Sequence, residues 1–169
     1  VGGAALQLNE DDPNCKLGPK PAGNTFRGNV FVGNGFSSKD VPGVLNYNGM
    51  KVHKQFSRNV FAVLSTSRGE NGSATTPLYR GQPDSLNHSV LSFASNLYWA
   101  APGQELAFPL VHPPTFVGWQ AAGWDDESLV ANPMFVDAPR DFRFAPGSPA
   151  LALGIASIDR AAAGPRRTK

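Results

Sequence analysis

One hexapeptide occurs three times in this chain and limits what it can fold into. Phe26-Arg27-Gly28-Asn29-Val30-Phe31, Phe56-Ser57-Arg58-Asn59-Val60-Phe61 and Phe93-Ala94-Ser95-Asn96-Leu97-Tyr98 share the form F-x-x-N-[V/L]-[F/Y]. Their starts lie 30 and 37 residues apart, a spacing at which small structural units stack on their neighbours. Each copy is short, aromatic or β-branched, and followed by turn residues, which specifies a strand rather than a helix. Stacked in parallel, equivalent residues of successive copies would sit about 4.8 Å apart. Asn29, Asn59 and Asn96 would then bond one another and the backbone at a corner, and the Phe positions would build one aromatic core.

Composition agrees with that reading. Gly (18) and Pro (15) are abundant in the 169 residues, and both interrupt helix interiors. Eleven Phe accompany them, so the chain has apolar matter for a core but punctuation for turns. The length fits a single domain spanning 1–169. Lys and Arg total 15 against 13 Asp and Glu, but Arg160, Arg166, Arg167 and Lys169 form a basic tail over 160–169. The remaining body is slightly acidic and has no basic face with interleaved aromatics, which argues against a nucleic-acid partner. No run of about 18 apolar residues exists to span a membrane as a helix. Cys15 is the single cysteine, so it has no bridging partner within the chain. Val1 to Leu8 carry no initiating Met and no signal-peptide pattern; they read as a strand met partway, in a fragment of a longer protein. The sequence does not indicate an oligomeric state.

Between and after the hexapeptides the punctuation predicts further elements. Ser65 to Pro77 is polar and aperiodic, a long surface loop. Asn96 to Phe108 reads as strand, Ala101-Pro102-Gly103 turn, strand. Thr115 to Ala122 fits one short helix, with Thr115 as N-cap, Phe116 and Trp119 at i and i+3, and Gly123 as its stop. Asn132 to Gly154 reads as strand and turn, punctuated by Pro133, Pro139, Pro146 and Pro149.

The last third carries a longer pattern. Asn132-Pro133-Met134-Phe135-Val136-Asp137, then Asp141-Phe142-Arg143-Phe144, then Pro146-Gly147-Ser148-Pro149-Ala150 follow one another closely. This ending resembles the C-terminal signature of right-handed parallel β-helix proteins, many of them secreted and carbohydrate-active. Asn96-Leu97-Tyr98-Trp99, Trp119-Gln120-Ala121 and the stretch from Ile158-Asp159 to Gly164-Pro165-Arg166 resemble the glycosidase-like members. Asn132 stands where that family usually carries Asp, keeping a short, turn-forming side chain. The resemblance implies an all-β fold: the C-terminal coils of a right-handed parallel β-helix, with the helix near 115–122 as part of a cap. It also implies a secreted or extracellular location and a polysaccharide or oligosaccharide partner, in a parent that is a glycoside hydrolase. A polysaccharide lyase and a noncatalytic glycan-binding or cell-surface module are the alternatives. The helix near Trp119 and the proline-rich closing segment are expected to cover the exposed edge of the last coil.

Sugar-cleaving chemistry defines the candidate residues. A glycosidase needs two carboxyl groups flanking the scissile bond. Glu10, Asp11 and Asp12 directly follow the strand Ala4 to Leu8, and the resemblance places an acid pair, Asp11 and Asp12, after such a strand. Asp125-Asp126-Glu127 reads as the organiser of a turn. Lys51 and His53, beside the second hexapeptide, are candidates for binding an acidic sugar. Tyr47 and Tyr79 lie in polar, loop-like context and are the preferred exposed aromatics for stacking on a sugar ring. His53, His88 and His112 lack metal-ligand spacing, so no metal and no cofactor is implied. Nucleophile-elbow, phosphate-loop and dinucleotide motifs are missing from the sequence.

Overall fold

A computed structural model describes residues 6–9, 23–33, 44–48, 53–64, 75–80, 91–108 and 111–158. For 6–9, 33, 45–48, 75–77 and 79–80 the description is of the backbone. The described residues are mostly strands, and their pairing is mostly parallel. One sheet holds β1 (Leu6–Asn9), β4 (Leu45–Asn48) and β8 (Tyr79–Arg80), in that order. A second holds β2 (Asn24–Arg27), β5 (Lys54–Ser57) and β9 (Leu91–Ala94). The third holds β3 (Val30–Gly33), β6 (Val60–Val63), β10 (Leu97–Ala100) and the two-residue β12 (Leu129–Val130). The chain therefore passes through the three sheets in the same sequence three times. A parallel pair of β7 (Thr75–Pro77) and β11 (Glu105–Ala107) stands beside them. β7 occupies the last three positions of the segment expected to be loop over 65–77; the rest of that segment lies outside the described residues.

Register follows the hexapeptides. Phe26 pairs with Phe56 and Phe56 with Phe93; Phe31 pairs with Phe61 and Phe61 with Tyr98. The rings stack accordingly. Centroids are 4.8 Å apart for Phe26–Phe56, 5.2 Å for Phe56–Phe93, 5.1 Å for Phe31–Phe61 and 5.3 Å for Phe61–Tyr98. The two columns meet edge to face, as Phe56 does with Phe31 and Phe61. Offset and edge-on contacts suit the ring quadrupole better than face-to-face contact throughout. Burying a Phe side chain completely stabilises the fold by about 1.5–3 kcal/mol, so these columns are a main source of its cohesion.

The bend inside each hexapeptide has a backbone cause. The residue before Asn is Gly28, Arg58 or Ser95, with φ of 71°, 54° and 55°. That left-handed conformation turns the chain sharply between two four-residue strands. Gly adopts it freely, whereas Arg58 and Ser95 hold it under the constraint of their neighbours.

Alternation explains why Val60-Phe61-Ala62-Val63 is buried at every position. Phe61 and Val63 join the aromatic core with Tyr98. Val60 and Ala62 face the other way, into a second core with Leu97, Phe144, Ala150 and Ile155. The C-terminal segment provides that second core. β13 (Phe135–Asp137) and β14 (Asp141–Phe144) form an antiparallel hairpin, and α2 (Pro149–Ala152) follows. Ser148 caps α2 and Pro149 opens it, a start that suits both residue types. A helical turn thus stands in a stretch expected to be strand and turn alone.

Two capping expectations separate here. α1 (Phe116–Ala121) has Thr115 as its N-cap, as the sequence indicates, and its Trp119 packs against Phe93 at the end of one aromatic column. The described part of the closing segment packs on the outer face of the third sheet, where Phe144, Ala150 and Ile155 join Val60, Ala62 and Leu97. β12 leaves Leu129 and Val130 exposed at 43% and 56%, and shortness is its protection against edge pairing.

Candidate functional site

The ending of the sequence resolves into a set of interlocked turns. The Asn132 side-chain oxygen accepts from the Met134 amide at 2.8 Å, and Met134 has φ of 52°. Asn therefore does what Asp would do at that corner. Ser148, buried, donates to the Pro133 carbonyl at 2.6 Å and accepts from the Ala150 amide at 3.2 Å. One hydroxyl thereby ties the Asn-Pro corner to the start of α2. Arg143 reaches the Asp141 carboxylate at 2.6 Å in an exposed pair. These residues hold the segment in place.

The asparagines form a directional ladder. Asn29 N–H donates to Asn59 Oδ1 at 3.0 Å, and Asn59 N–H donates to Asn96 Oδ1 at 2.9 Å. The side-chain amides of Asn59 and Asn96 donate to the carbonyls of Phe26 and Phe56 at 2.9 and 3.1 Å. Asn59 and Asn96 are fully buried, where every unpaired polar atom would be costly. The ladder keeps the corners satisfied.

Its last rung is built from different residues. Asp126 bridges Ala94, and β12 aligns Leu129 with Leu97 and Val130 with Tyr98. That register sets Asp125, Glu127 and Ser128 opposite Phe93, Ser95 and Asn96. Glu127 repeats the left-handed corner with φ of 61°. Ser128 Oγ accepts from Asn96 N–H at 2.6 Å, and Asp125 Oδ1 accepts from the Asn96 side-chain amide at 3.3 Å. Tyr98 and Ser128 hydroxyls both donate to the Asp125 carboxyl group. The acid and the serine together replace the missing asparagine, and Tyr stands where earlier copies have Phe because a carboxyl group is there to receive its hydroxyl. Trp119 and Trp124, stacked at 4.9 Å, close over Phe93 where a fourth ring of its column would lie.

Burial dominates the electrostatics of this cluster. It raises the Asp125 pKa from the ordinary carboxylate value, against hydrogen bonds from Ser128, Tyr98 and Asn96 that favour the charge. The Trp119 indole N–H has no partner of good geometry among the described residues and assists the carboxylate from longer range. Burial, then the neighbouring carboxylate, raises the Tyr98 phenol well above its ordinary value. Asp125 is 3% exposed and Ser128 4%, so the cluster is internal and has no access for substrate. The turn expected over Asp125–Glu127 is present, with a core function that the sequence did not disclose.

Three of the sequence-derived candidates, His53, Tyr47 and Tyr79, lie among the described residues. Glu10, Asp11, Asp12 and Lys51 lie outside the described residues. His53 is exposed; its carbonyl accepts from Asn24 N–H at 2.9 Å, and a Cβ on Gly23 would come within 2.7 Å of that oxygen. Lys54, next to it, is buried and reaches Asn24 Oδ1 at 2.9 Å. Tyr47 and Tyr79 are not in loops: their backbones belong to β4 and β8 of one sheet, Tyr47 paired with Leu8 and Tyr79 with Leu45. Short polar neighbours hid those strands, since parallel pairing rather than local propensity creates them.

A cavity of about 350 Å³ does face solvent. It lies between the last residues of β10 and β12, strand β11 and the start of α1. Among the described residues Trp99, Phe116, Leu106 and Val130 contribute to its apolar wall, and Gln104, Glu105 and Thr115 are its polar lining residues. Trp99 is half-buried, held edge-on against Phe135 at 6.3 Å. These residues come from four separate segments, so no local pattern announces them. Among the described residues no group of three or more His, Cys, Asp or Glu is placed to hold a metal ion. No described helix is long and apolar enough to cross a membrane. Comparison with protein-family models, with curated proteins and with solved structures found no match.

Proposed function

We propose that this chain forms C-terminal coils of a right-handed parallel β-helix in a secreted, carbohydrate-active protein, whose reaction is hydrolysis of polysaccharide or oligosaccharide. The observation that carries this reading is the in-register stacking of the aromatic–Asn hexapeptides in parallel strands, joined to a closing segment with the sequence ending described above. Parallel stacking of this kind makes long, regular surfaces along which an extended polymer can lie. In this reading the described residues supply support and closure, and Glu10, Asp11 and Asp12 are the acids to test for chemistry.

A noncatalytic glycan-binding module is the second reading. It is favoured by the engagement of Asp125, the most deeply buried described acid, in the core rather than at a surface. A panel of plant, algal and bacterial polysaccharides separates the two. The chain, and the longest polypeptide in which it is encoded, are assayed for new reducing ends and for the ultraviolet absorbance of unsaturated uronates. New reducing ends without absorbance are expected. Absorbance instead establishes a lyase, binding without product establishes the second reading, and neither binding nor product overturns the carbohydrate reading.

A further inference from the structure

We infer that the outward face of the second sheet is a contact surface for a second copy of this chain, the two stacks running in opposite directions. The inference rests on the register of the strands and is independent of the carbohydrate reading.

Strand alternation defines the face. Phe26, Phe56 and Phe93 belong to the aromatic core, so the residues on either side of each point outward. These are Thr25, Gln55 and Ser92 in one row, and Arg27, Ser57 and Ala94 in the next. Thr25, Gln55 and Arg27 are exposed, and Ser57, Ser92 and Ala94 are half-buried. The side chains between the charged ends are short or neutral, which lets another flat surface approach closely.

Charge is ordered along the stack. Register sets Arg27, Ser57, Ala94 and Asp126 in one column of four levels. Beside it, at the corner, run Gly28, Arg58, Ser95 and Glu127. Arg27 thus stands at the first level, and Asp126 and Glu127 at the fourth. All three are exposed, and none forms an ion pair with another described residue. Glu127 accepts from the Ser95 hydroxyl at 3.2 Å, which orients its carboxylate along the column. Arg58 is turned to the closing segment, with its guanidinium carbon 3.9 Å from where a Cβ on Gly154 would lie.

One arrangement of two copies matches this order. A two-fold axis along the strands, between the second and third levels, reverses the levels in the partner. Arg27 of each copy then faces Asp126 and Glu127 of the other, and the contact closes at two copies. Gly28 leaves room for the incoming acids, since a Cβ there would meet nothing within 4 Å. Stacks running the same way would set arginine against arginine and acid against acid, which repel. Three steps of about 4.8 Å give a surface about 14 Å long. An interface of that size belongs to the weak, transient class that buries less than about 1,200 Å².

Sedimentation equilibrium of the chain, at up to about 1 mM, tests the inference. A dimer is expected in about 0.01 M salt. It weakens about tenfold or more in about 1 M salt, where the screening length falls from about 30 Å to about 3 Å. Arg27→Asp and Asp126→Arg each weaken the low-salt dimer about tenfold or more, because each change opposes like charges at both ends of the contact. Mixed in equal amounts, the two variants pair with each other as the wild type does with itself, since acid again meets base at both ends. A wild type that stays monomeric at about 1 mM, or a dimer indifferent to salt, overturns the inference whether or not the variants fold. So do a dimer that both variants keep, a mixture that restores nothing, and species that grow beyond two copies.

Discussion

Asn59 bonds in three directions: it takes the Asn29 amide, gives to the Phe26 carbonyl and gives its own N–H to Asn96. Replacing it with Ala removes the first two bonds, and with them the side-chain bonds to Asn29 Nδ2 and Asn96 Oδ1, so that the Asn29 amide and the Phe26 carbonyl lose their side-chain partner. Each unmet buried group costs about 1–3 kcal/mol, and Phe26 and Asn29 are half-buried, which lessens the loss. Asn59→Ala is expected to lower the unfolding free energy by about 2–4 kcal/mol in urea denaturation. Asn29→Ala, at the half-buried end of the ladder, should cost about 1 kcal/mol or less. Equal losses would show that the ladder does not set the stability of these corners. Residue types at this scale were readable: Phe and Asn repeat visibly, and their stacking follows from strand spacing. The last rung was not readable, because Asp125 and Ser128 perform together by geometry what a single Asn performs elsewhere by identity.

At the scale of elements, the closing segment contributes through the face it covers. Phe144, 7% exposed, is the large ring of the second core. Its amide donates to Ser157 Oγ at 2.9 Å, so its backbone position is also fixed. Phe144→Ala should cost about 3–5 kcal/mol by loss of burial and cavity formation, measured by denaturant unfolding. A loss below about 1 kcal/mol would mean that the segment rests loosely on the third sheet. Helix α1 was legible from Thr115 and Gly123, each of which has a local function. Strands β4, β7 and β8 were not, because partners distant in sequence make them strands. The cavity by Trp99 escaped for the same reason, its walls meeting only once the sheets are stacked.

For the whole molecule, the internal acid links stability to pH. The Asp125 pKa is raised on folding, so over a range of pH the folded chain keeps a proton that the unfolded chain releases. Its stabilising effect is complete below the unfolded carboxylate value of about 3.9 and is lost as pH rises through the folded value. Urea midpoints of the wild type should therefore decline, relative to Asp125→Asn, as pH increases from about 4. Parallel pH profiles for the two proteins would show that the proton is not taken up there. The exposed pairs Arg143–Asp141 and Arg140–Asp137 are common to both proteins and cancel in the comparison.

The ladder also has a direction of growth. Each backbone N–H is passed to a side-chain oxygen one level further on, and the side-chain amides of Asn59 and Asn96 reach back to a Phe carbonyl of the level before, so a level that repeats the pattern needs a side chain with both an oxygen and an amide. Ser128 and Asp125 offer hydroxyl and carboxyl groups, already turned inward on each other. They end the repeat by a change of chemistry: the oxygen that receives the Asn96 N–H is present, and the side-chain amide of the earlier levels is replaced by a hydroxyl and a carboxyl group. Lengthening the stack by design would thus begin with restoring Asn at 128 and an aromatic residue at 125, before any new strand is appended.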